Sequence, residues 1–516
     1  MKNRKLDASA TSLALWGLGS MMLVACSDDG LGTNDGVATT TGTSTSTSTG
    51  TSGLTTGEGD DESGFGMKLD VSSDPGSVPS CSTDGTCDLI DIVFVIDNSG
   101  TMGEEQLNLA NNFQHLVDEL QDLRDADGDP VRPNVNMMVT TSDFGHPLCT
   151  PHQRPDYVPR KGAPVYQGCN SRINRFTSLD ETTILEEACT ANCPADVAPG
   201  DHFINVHATG SNVPNGDVGA ALSCIGPQGI DGCGYEAPLE TMIQAIERES
   251  CWNDPSQPAC ADDPEWSRAT RGFLRDDAIL VVVIITDEMD CSVKAPHGYS
   301  YFTDPDNPAY WNLDPSAEQP VPAPTSAVCF NAGVTCTDAD GDGVYEGGCQ
   351  SQENDVLHPV WRYTEYLDYL RESQGKEVVM LGILGVPEVV AHNPLPPFEP
   401  IAGGAADLIY RNWVDFPYPN GDVLPEEWEE GKRAADKVFE FGDIGPGCTG
   451  VDEAGEYTGQ AVPPVRIREV CEHLDGVDAT GEARVRCCIE SICDTDFSPA
   501  IRCLTGVLSD VISGPG

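Results

Sequence analysis

The stretch Asp88-Leu-Ile-Asp-Ile-Val-Phe-Val-Ile-Asp-Asn-Ser-Gly-Thr-Met102 decides how the rest of the chain folds. Residues Ile90 to Ile96 are β-branched or aromatic with one charged exception, which is typical of a central parallel strand covered on both faces. Directly after this strand, Asp97, Ser99 and Thr101 place an oxygen-bearing side chain at every second position. Ligands of open α/β sheets bind at the carboxyl ends of strands. The stretch therefore predicts a strand that ends in a cation site.

A second apolar strand ends in the same way. Residues 278–285 are apolar, too few to span a bilayer, and Thr286 and Asp287 follow them directly. Two strands that each end in an aspartate at the same sheet edge form a more specific signal than either strand alone. Two carboxylates and the hydroxyls of Ser99 and Thr101 favour a hard cation, Mg²⁺, Mn²⁺ or Ca²⁺.

These motifs resemble the von Willebrand factor A domain and its metal-ion-dependent adhesion site. Asp97-x-Ser99-x-Thr101 is similar to the family motif Asp-x-Ser-x-Ser, and Thr286-Asp287 resembles its second acidic motif. The resemblance implies an α/β fold with a doubly wound, mostly parallel central sheet flanked by helices. It also implies that the cation accepts a carboxylate from a protein or another extracellular ligand.

One loop departs from the family pattern. The family places a threonine in the metal shell where this chain has Cys233 or Gly234, and neither offers a hard oxygen ligand. Glu236 could supply a carboxylate instead, or it could interact with the free amides at the start of a helix. The missing threonine keeps open the alternative of a structural envelope protein with a vestigial metal site. A simple turn in which Asp97 caps the next helix is a further alternative.

An enzymatic reading has less support. Asp97-x-Ser99-x-Thr101 differs at one position from the Asp-x-Asp-x-Thr signature of aspartyl-phosphate phosphatases. Ser99 replaces the aspartate that acts as general acid and base, and a hydroxyl is a poor proton shuttle near neutral pH. The sequence therefore predicts a binding protein, with the phosphatase as an unlikely alternative.

A third acidic motif lies in a later segment. Asp338, Asp340 and Asp342, followed by Gly343, match the opening half of a calcium loop, but the twelfth position is Cys349 instead of glutamate. This excludes an ordinary EF-hand. A looser calcium-binding loop and a solvated acidic turn both remain open.

Charge and cysteine content restrict the partners and the compartment. The chain has 28 Lys and Arg against 83 Asp and Glu, a net charge of −55, which argues against nucleic acid as a partner. Its 21 cysteines favour an oxidising compartment, with most of them paired and near neighbours such as Cys251 with Cys260 and Cys336 with Cys349 among the pairs.

The N-terminus predicts an exported, lipid-anchored protein. Residues 1–25 have a basic start and an apolar stretch, and Leu23-Val-Ala-Cys26 resembles the lipobox of bacterial lipoproteins, in which Cys26 is lipidated. An ordinary cleaved signal peptide is the alternative. The resemblance implies a bacterial cell envelope protein, anchored at the outer membrane or cell surface.

The rest of the chain divides into two parts. Residues 26–80 are rich in Thr, Ser and Gly and predict a disordered linker. Residues 88–512 predict one von Willebrand factor A-like domain with disulfide-rich insertions at about 143–232, 291–355 and 387–464. Within it, residues 134–141 and 378–386 predict further strands, and a helix that starts near Glu104 and a last helix over 498–512 show apolar periodicity.

Overall fold

The computed structural model describes residues 89–513, except 126–127, 180, 182, 194–196, 264, 267–270, 414–433, 452–456, 478–480 and 482. The predicted signal peptide, Cys26 and the linker lie outside the described residues. Cys81 and Cys87 lie outside them as well.

The described chain alternates short strands and helices. The strands are β1 (Leu89–Ile96), β2 (Asn134–Thr141), β3 (Ile204–His207), β4 (Gly210–Ser211), β5 (Ile279–Ile285), β6 (Asn312–Leu313), β7 (Pro322–Ala323), β8 (Val334–Cys336), β9 (Cys349–Ser351), β10 (Val378–Leu384), β11 (Val389–His392), β12 (Pro400–Gly403), β13 (Cys448–Val451), β14 (Tyr457–Ala461), β15 (Gly476–Val477), β16 (Ala483–Arg484) and β17 (Cys487–Ser491). The α-helices are α1 (Gly103–Gln121), α2 (Glu187–Thr190), α3 (Val218–Ile225), α4 (Pro238–Ile246), α5 (Ser300–Thr303), α6 (Ala327–Gly333), α7 (Trp361–Asp368), α8 (Ala434–Phe441), α9 (Val465–Glu472) and α10 (Ser498–Ser513).

Seven strands form one sheet in the order β17-β10-β5-β1-β2-β3-β4. The five strands from β17 to β2 are parallel, and β3 and β4 add an antiparallel edge. The other described strands form two-stranded sheets in the connecting segments. The fold is therefore mixed α/β with a mostly parallel central sheet, as the sequence predicted.

Helices cover both faces of the sheet because side chains of a strand point alternately to opposite faces. Ile92 and Phe94 of β1 pack against residues of α1, α3 and α10. Val93 and Val95 pack on the other face against residues of α4, α7 and α9. Burial on both faces explains why β1, β5 and β10 are continuous apolar runs.

The segment 143–232 contributes more to the sheet than its sequence indicated. It contains β3 and β4, which extend the sheet, and α3, whose Ala221, Leu222 and Ile225 join the core with α1. The sequence did not predict these elements because two strands of four and two residues and a helix of eight residues are too short for a clear periodic signal.

Nine disulfides link all eighteen cysteines of the described residues, including both predicted pairs, Cys251–Cys260 and Cys336–Cys349. Three of them involve the β17 edge of the sheet, namely Cys448–Cys493, Cys471–Cys487 and Cys488–Cys503. The disulfides therefore hold the sheet edge as well as the insertions. No helix in the described part of the chain combines the length and apolar character needed to cross a membrane.

Candidate metal centre

The two predicted acidic motifs meet at one edge of the sheet. β1 and β5 are parallel neighbours, so Asp97 follows β1 beside Thr286 and Asp287, which follow β5. The Asp97 amide donates to the Ile285 carbonyl at 2.9 Å and continues the strand pairing. The chain leaves β1 toward β2 on one side and returns to β5 on the other, so this edge is the topological switch point of the sheet.

Hydrogen bonds fix the loop after β1. The Ser99 amide donates to Asp97 Oδ1 at 2.7 Å, and the Thr286 hydroxyl donates to Asp97 Oδ2. Ser99 Oγ and Thr101 Oγ1 lie 3.3 Å apart, and the Thr101 hydroxyl is close enough to Asp287 to offset part of the rise in pKa that burial causes there. The structure thus brings together Asp97, Ser99, Thr101 and Asp287, the four residues that the motifs predicted as ligands.

A buried glutamine that the sequence reading missed clamps this loop to the next one. Gln106 Nε2 donates to the carbonyls of Asp97 (3.0 Å) and Gly229 (2.9 Å), and its Oε1 accepts from the amides of Gln228 (2.8 Å) and Gly229 (3.0 Å). Gln106 precedes Leu109, Ala110 and Phe113 by three, four and seven residues, so a polar residue on the apolar face of the predicted helix was the signal that could have identified it. Gln106 therefore positions the loop that carries Asp97.

The loop before α4 carries Glu236, the alternative ligand predicted for this loop. Cys233 forms a disulfide with Cys149 and so holds the loop. Glu236 is fully buried, and among the described residues neither of its carboxylate oxygens has a hydrogen-bond partner. Burial, then the charges of Asp97 and Asp143, raise its pKa well above the ordinary value, against a smaller opposing effect of the nearby Ser142 hydroxyl.

Other carboxylates surround the same point. Glu288 is buried next to Asp287, and burial, followed by the charges of Asp287 and Asp97, raises its pKa well above the usual range. Burial and mutual repulsion raise the pKa values of Asp97, Asp287 and the half-buried Glu105 to about 7. No Lys, Arg or His of the described residues forms an ion pair with any of these four carboxylates or with Glu236. The site is therefore an uncompensated cluster of buried acids.

Unpartnered oxygen atoms concentrate at this edge. Eight of the eleven buried side-chain oxygens without a hydrogen-bond partner in the described chain belong to it: Asn98 Oδ1, Glu105 Oε2, Thr141 Oγ1, Ser142 Oγ, Glu236 Oε1, Glu236 Oε2, Asp287 Oδ1 and Glu288 Oε2. Buried polar atoms in folded proteins are almost always paired, so such a concentration indicates a missing partner. Hard oxygen donors alone fit Mg²⁺, Mn²⁺ or Ca²⁺ better than Zn²⁺ or copper.

The predicted calcium loop lies in the connection between β8 and β9, which Cys336–Cys349 closes. Oxygen atoms of Asp338, Asp340 and Glu346 lie within 4.8 Å of one another. Asp342, the third predicted ligand, does not belong to this group; its Oδ1 accepts from the Val344 amide at 2.9 Å. The sequence reading missed Glu346, the ninth residue counted from Asp338.

No known family model, curated protein or solved structure matches this chain. Its function is therefore inferred from its motifs and from the geometry of its sites.

Proposed function

We propose that this protein binds a divalent cation, Mg²⁺ or alternatively Mn²⁺ or Ca²⁺, through Asp97, Ser99, Thr101 and Asp287, and uses it to bind a carboxylate of a protein or other extracellular ligand. The single observation that carries the proposal is the cluster of buried, uncompensated carboxylates at the switch point between β1 and β5. The sheet is then of the von Willebrand factor A type, and the protein is a binder rather than an enzyme.

Electrostatics supports a cation at this point. An ionised carboxylate that is buried without a partner costs several kcal/mol even after relaxation of its surroundings. This cost applies to Asp97 and Asp287, whose pKa values are raised to about 7 first by burial and then by the repulsion of neighbouring acids. A bound divalent cation would offset this repulsion and supply an electrophilic centre for a partner's carboxylate.

The ligand set leaves room for a partner. Two carboxylates and two hydroxyls do not fill the octahedral shell of Mg²⁺, so coordination positions stay open for water or for a partner's carboxylate. Thr101 is exposed, whereas Ser99 and Asp97 are buried, so the site reaches the surface at Thr101. These features support a role in adhesion.

A positively charged cavity beside the site favours an acidic partner. The cavity has a volume of about 300 Å³. Asn98 and Thr141 form part of its wall, and both belong to the metal edge, the edge of the sheet at which β1, β2 and β5 end. Arg160, Arg172 and Arg175 also line it; the one lining acid, Glu265, forms an ion pair with Arg160 at 2.8 Å, so the excess charge comes from Arg172 and Arg175. Three of only 28 basic residues in a chain of net charge −55 thus lie beside the candidate ion. This local charge counteracts the repulsion that the whole chain exerts on an acidic partner.

We place the protein in the bacterial cell envelope, anchored to a membrane through lipid on Cys26, because of the lipobox-like sequence and the oxidised cysteines. The structural protein with a vestigial site remains the competing function. The two differ in whether an ion bound at Asp97 has an exchangeable coordination position.

The decisive experiment uses Mn²⁺ as the ion and water relaxation as the readout. Mn²⁺ bound to the full chain should enhance the relaxation of solvent protons, and a short peptide rich in Asp and Glu should reduce this enhancement by displacing bound water. With Asp338→Asn and Asp340→Asn present in every sample, the Asp97→Asn variant should lose the part of the enhancement that the peptide reduces, whereas Glu104→Gln, which removes an exposed charge nearby, should behave as wild type. Mn²⁺ binding that no carboxylate peptide alters would favour the vestigial site.

A further inference from the structure

No three carboxylates at this edge of the described sheet lie close enough together to share one ion. Across the described residues, three acidic side chains have oxygen atoms within 4.8 Å of one another only at Asp338, Asp340 and Glu346. The edge formed by β1, β2 and β5 holds Asp97, Asp287, Glu236 and Glu288, all buried, without any such group of three. An ion bound by Asp97 and Asp287 therefore leaves Glu236 and Glu288 uncompensated.

The unpartnered oxygens of Ser142 and of these two glutamates come from adjoining segments of the chain. Ser142 follows β2, Glu236 precedes α4 and Glu288 follows β5. The Ala237 amide donates to the Ser142 carbonyl at 3.0 Å, and the Cys291 amide donates to the Glu236 carbonyl at 2.7 Å, so the three segments are in contact. Within the described chain, Ser142 Oγ, both oxygens of Glu236 and Glu288 Oε2 have no hydrogen-bond partner.

Other buried acids of the same sheet are fully partnered. Asp91 accepts from the amide and Nε of Arg275, both at 2.7 Å. Asp290 accepts from Arg466 Nε at 3.0 Å and from the Leu239 amide at 3.1 Å. This fold therefore supplies donors to buried carboxylates that serve its structure, and Glu236 and Glu288 are exceptions.

Asp143 is the most direct contrast because its charge acts on Glu236. Its carboxylate accepts from the Tyr157 hydroxyl (2.7 Å), the Gly145 amide (2.7 Å) and Gln153 Nε2 (2.9 Å). Among the described residues Glu236 lacks such a set of donors, and burial, then the charges of Asp97 and Asp143, raise its pKa more than the nearby Ser142 hydroxyl lowers it. A cation at this point would give the oxygens of Glu236 a partner.

We infer that Glu236, Glu288 and the Ser142 hydroxyl form a second site for a hard divalent cation, next to the site of Asp97 and Asp287. The inference rests on the proposed function, because the second ion would neutralise the charges that the first leaves. It would also join the loop held by Cys149–Cys233 to the end of β5, and so order the surface around the adhesion ion.

Counting Mn²⁺ ions on the full chain tests the inference. Asp338→Asn and Asp340→Asn are introduced throughout, so that the loop between β8 and β9 does not contribute an ion. Equilibrium dialysis should find two Mn²⁺ per chain, and the paramagnetic resonance spectrum should show broadening from two neighbouring ions. Glu236→Gln and Glu288→Gln should each reduce the count to one and restore the six-line spectrum of an isolated ion.

The controls separate this inference from the proposed function. Glu104→Gln should keep two ions. Asp97→Asn should lose the ion bound by Asp97 and Asp287 and keep the ion at Glu236 and Glu288. One ion in the wild type, lost in Asp97→Asn and kept in both glutamate variants, would overturn the second site and leave the proposed function intact. No ion in the wild type would overturn both. Circular dichroism checks that each variant is folded, and Glu288→Gln provides the count if Glu236→Gln does not fold.

Discussion

At the scale of single residues, the carboxylate of Asp97 connects the two halves of the candidate site. It accepts the Ser99 amide within its own loop and the Thr286 hydroxyl from the end of β5. Each of its oxygens keeps a second lone pair for a cation. The sequence predicted Asp97, Ser99, Thr101 and Asp287 because they directly follow strands. It could not predict that Thr286 bonds Asp97, because that contact depends on the pairing of β1 with β5.

The raised pKa values predict an unusual dependence of stability on pH. Asp97 titrates near pH 7 in the folded chain, against an ordinary value of 3.8, so between pH 4 and 7 the unfolded chain binds fewer protons than the folded one. Without metal, the free energy of unfolding should therefore fall as pH rises, by up to about 1.4 kcal/mol per pH unit for each such group. Urea unfolding at several pH values in EDTA measures this slope.

Two comparisons isolate the contribution of the site. At pH 8, Mg²⁺ should raise the free energy of unfolding above its value in EDTA, because the ionised carboxylates then have a counter-charge. Asp97→Asn should have a shallower slope than the wild type in EDTA. Equal slopes for the two proteins, with no effect of Mg²⁺, would contradict the predicted role of Asp97.

Gln106 offers a second prediction at this scale. Gln106→Met keeps the size of the side chain but removes four hydrogen bonds that join the loop after β1 to the loop at Gly229. At about 1 kcal/mol for each bond, the free energy of unfolding should fall by about 3 to 4 kcal/mol. Gln114→Met on the exposed face of the same helix should change it by less than about 0.5 kcal/mol. Similar losses in both variants would argue against the clamp.

At the scale of elements, the long apolar runs were predictable and the short elements were not. β1, β2, β5, β10 and α10 lie close to the ranges that their apolar patterns indicated, since burial on one or both faces leaves a clear signal. β3, β4 and α3 depend on packing against β2 and α1, which no local pattern encodes. Glu346 belongs with Asp338 only because the β8–β9 hairpin folds back on itself.

This hairpin leads to a prediction about the acidic loop. Asp338, Asp340 and Glu346 should bind Ca²⁺, and Tb³⁺ in its place should emit when tyrosine is excited, because Tyr345 directly precedes Glu346. Glu346→Gln should weaken Tb³⁺ binding about tenfold or more, whereas Asp342→Asn should have a smaller effect because Asp342 lies outside the group. Emission that Ca²⁺ does not displace, or that Glu346→Gln leaves unchanged, would indicate a solvated turn.

At the scale of the whole molecule, charge, cysteines and the N-terminal sequence support the proposed location in the cell envelope. Eighteen cysteines form nine disulfides within the described residues, which fits an oxidising compartment. The net charge of −55 opposes acidic partners at long range, but this repulsion is screened over about 8 Å at physiological salt. Contact at the metal edge can therefore be decided by local charge.

The anchoring proposal predicts the location of the chain in the cell. Cys26→Ser should move the protein from the membrane fraction to the soluble fraction, because no lipid can then be attached at the lipobox-like site. Mass spectrometry of the wild-type N-terminus should find a diacylglyceryl group on Cys26. A wild-type N-terminus without lipid would leave only an ordinary cleaved signal peptide.

The central claim is that Asp97 holds a divalent cation at the end of β1. Calorimetric titration of Mg²⁺ into the full chain tests it most directly, with Asp338→Asn and Asp340→Asn present in every sample to remove the acidic loop. At the Asp97 site, wild type and the Glu104→Gln control should bind Mg²⁺ with the same dissociation constant, and in Asp97→Asn this binding step should be at least about 100-fold weaker, since the variant loses an anionic ligand. Equal binding by all three proteins, or no heat from the wild type at millimolar Mg²⁺, would contradict the account.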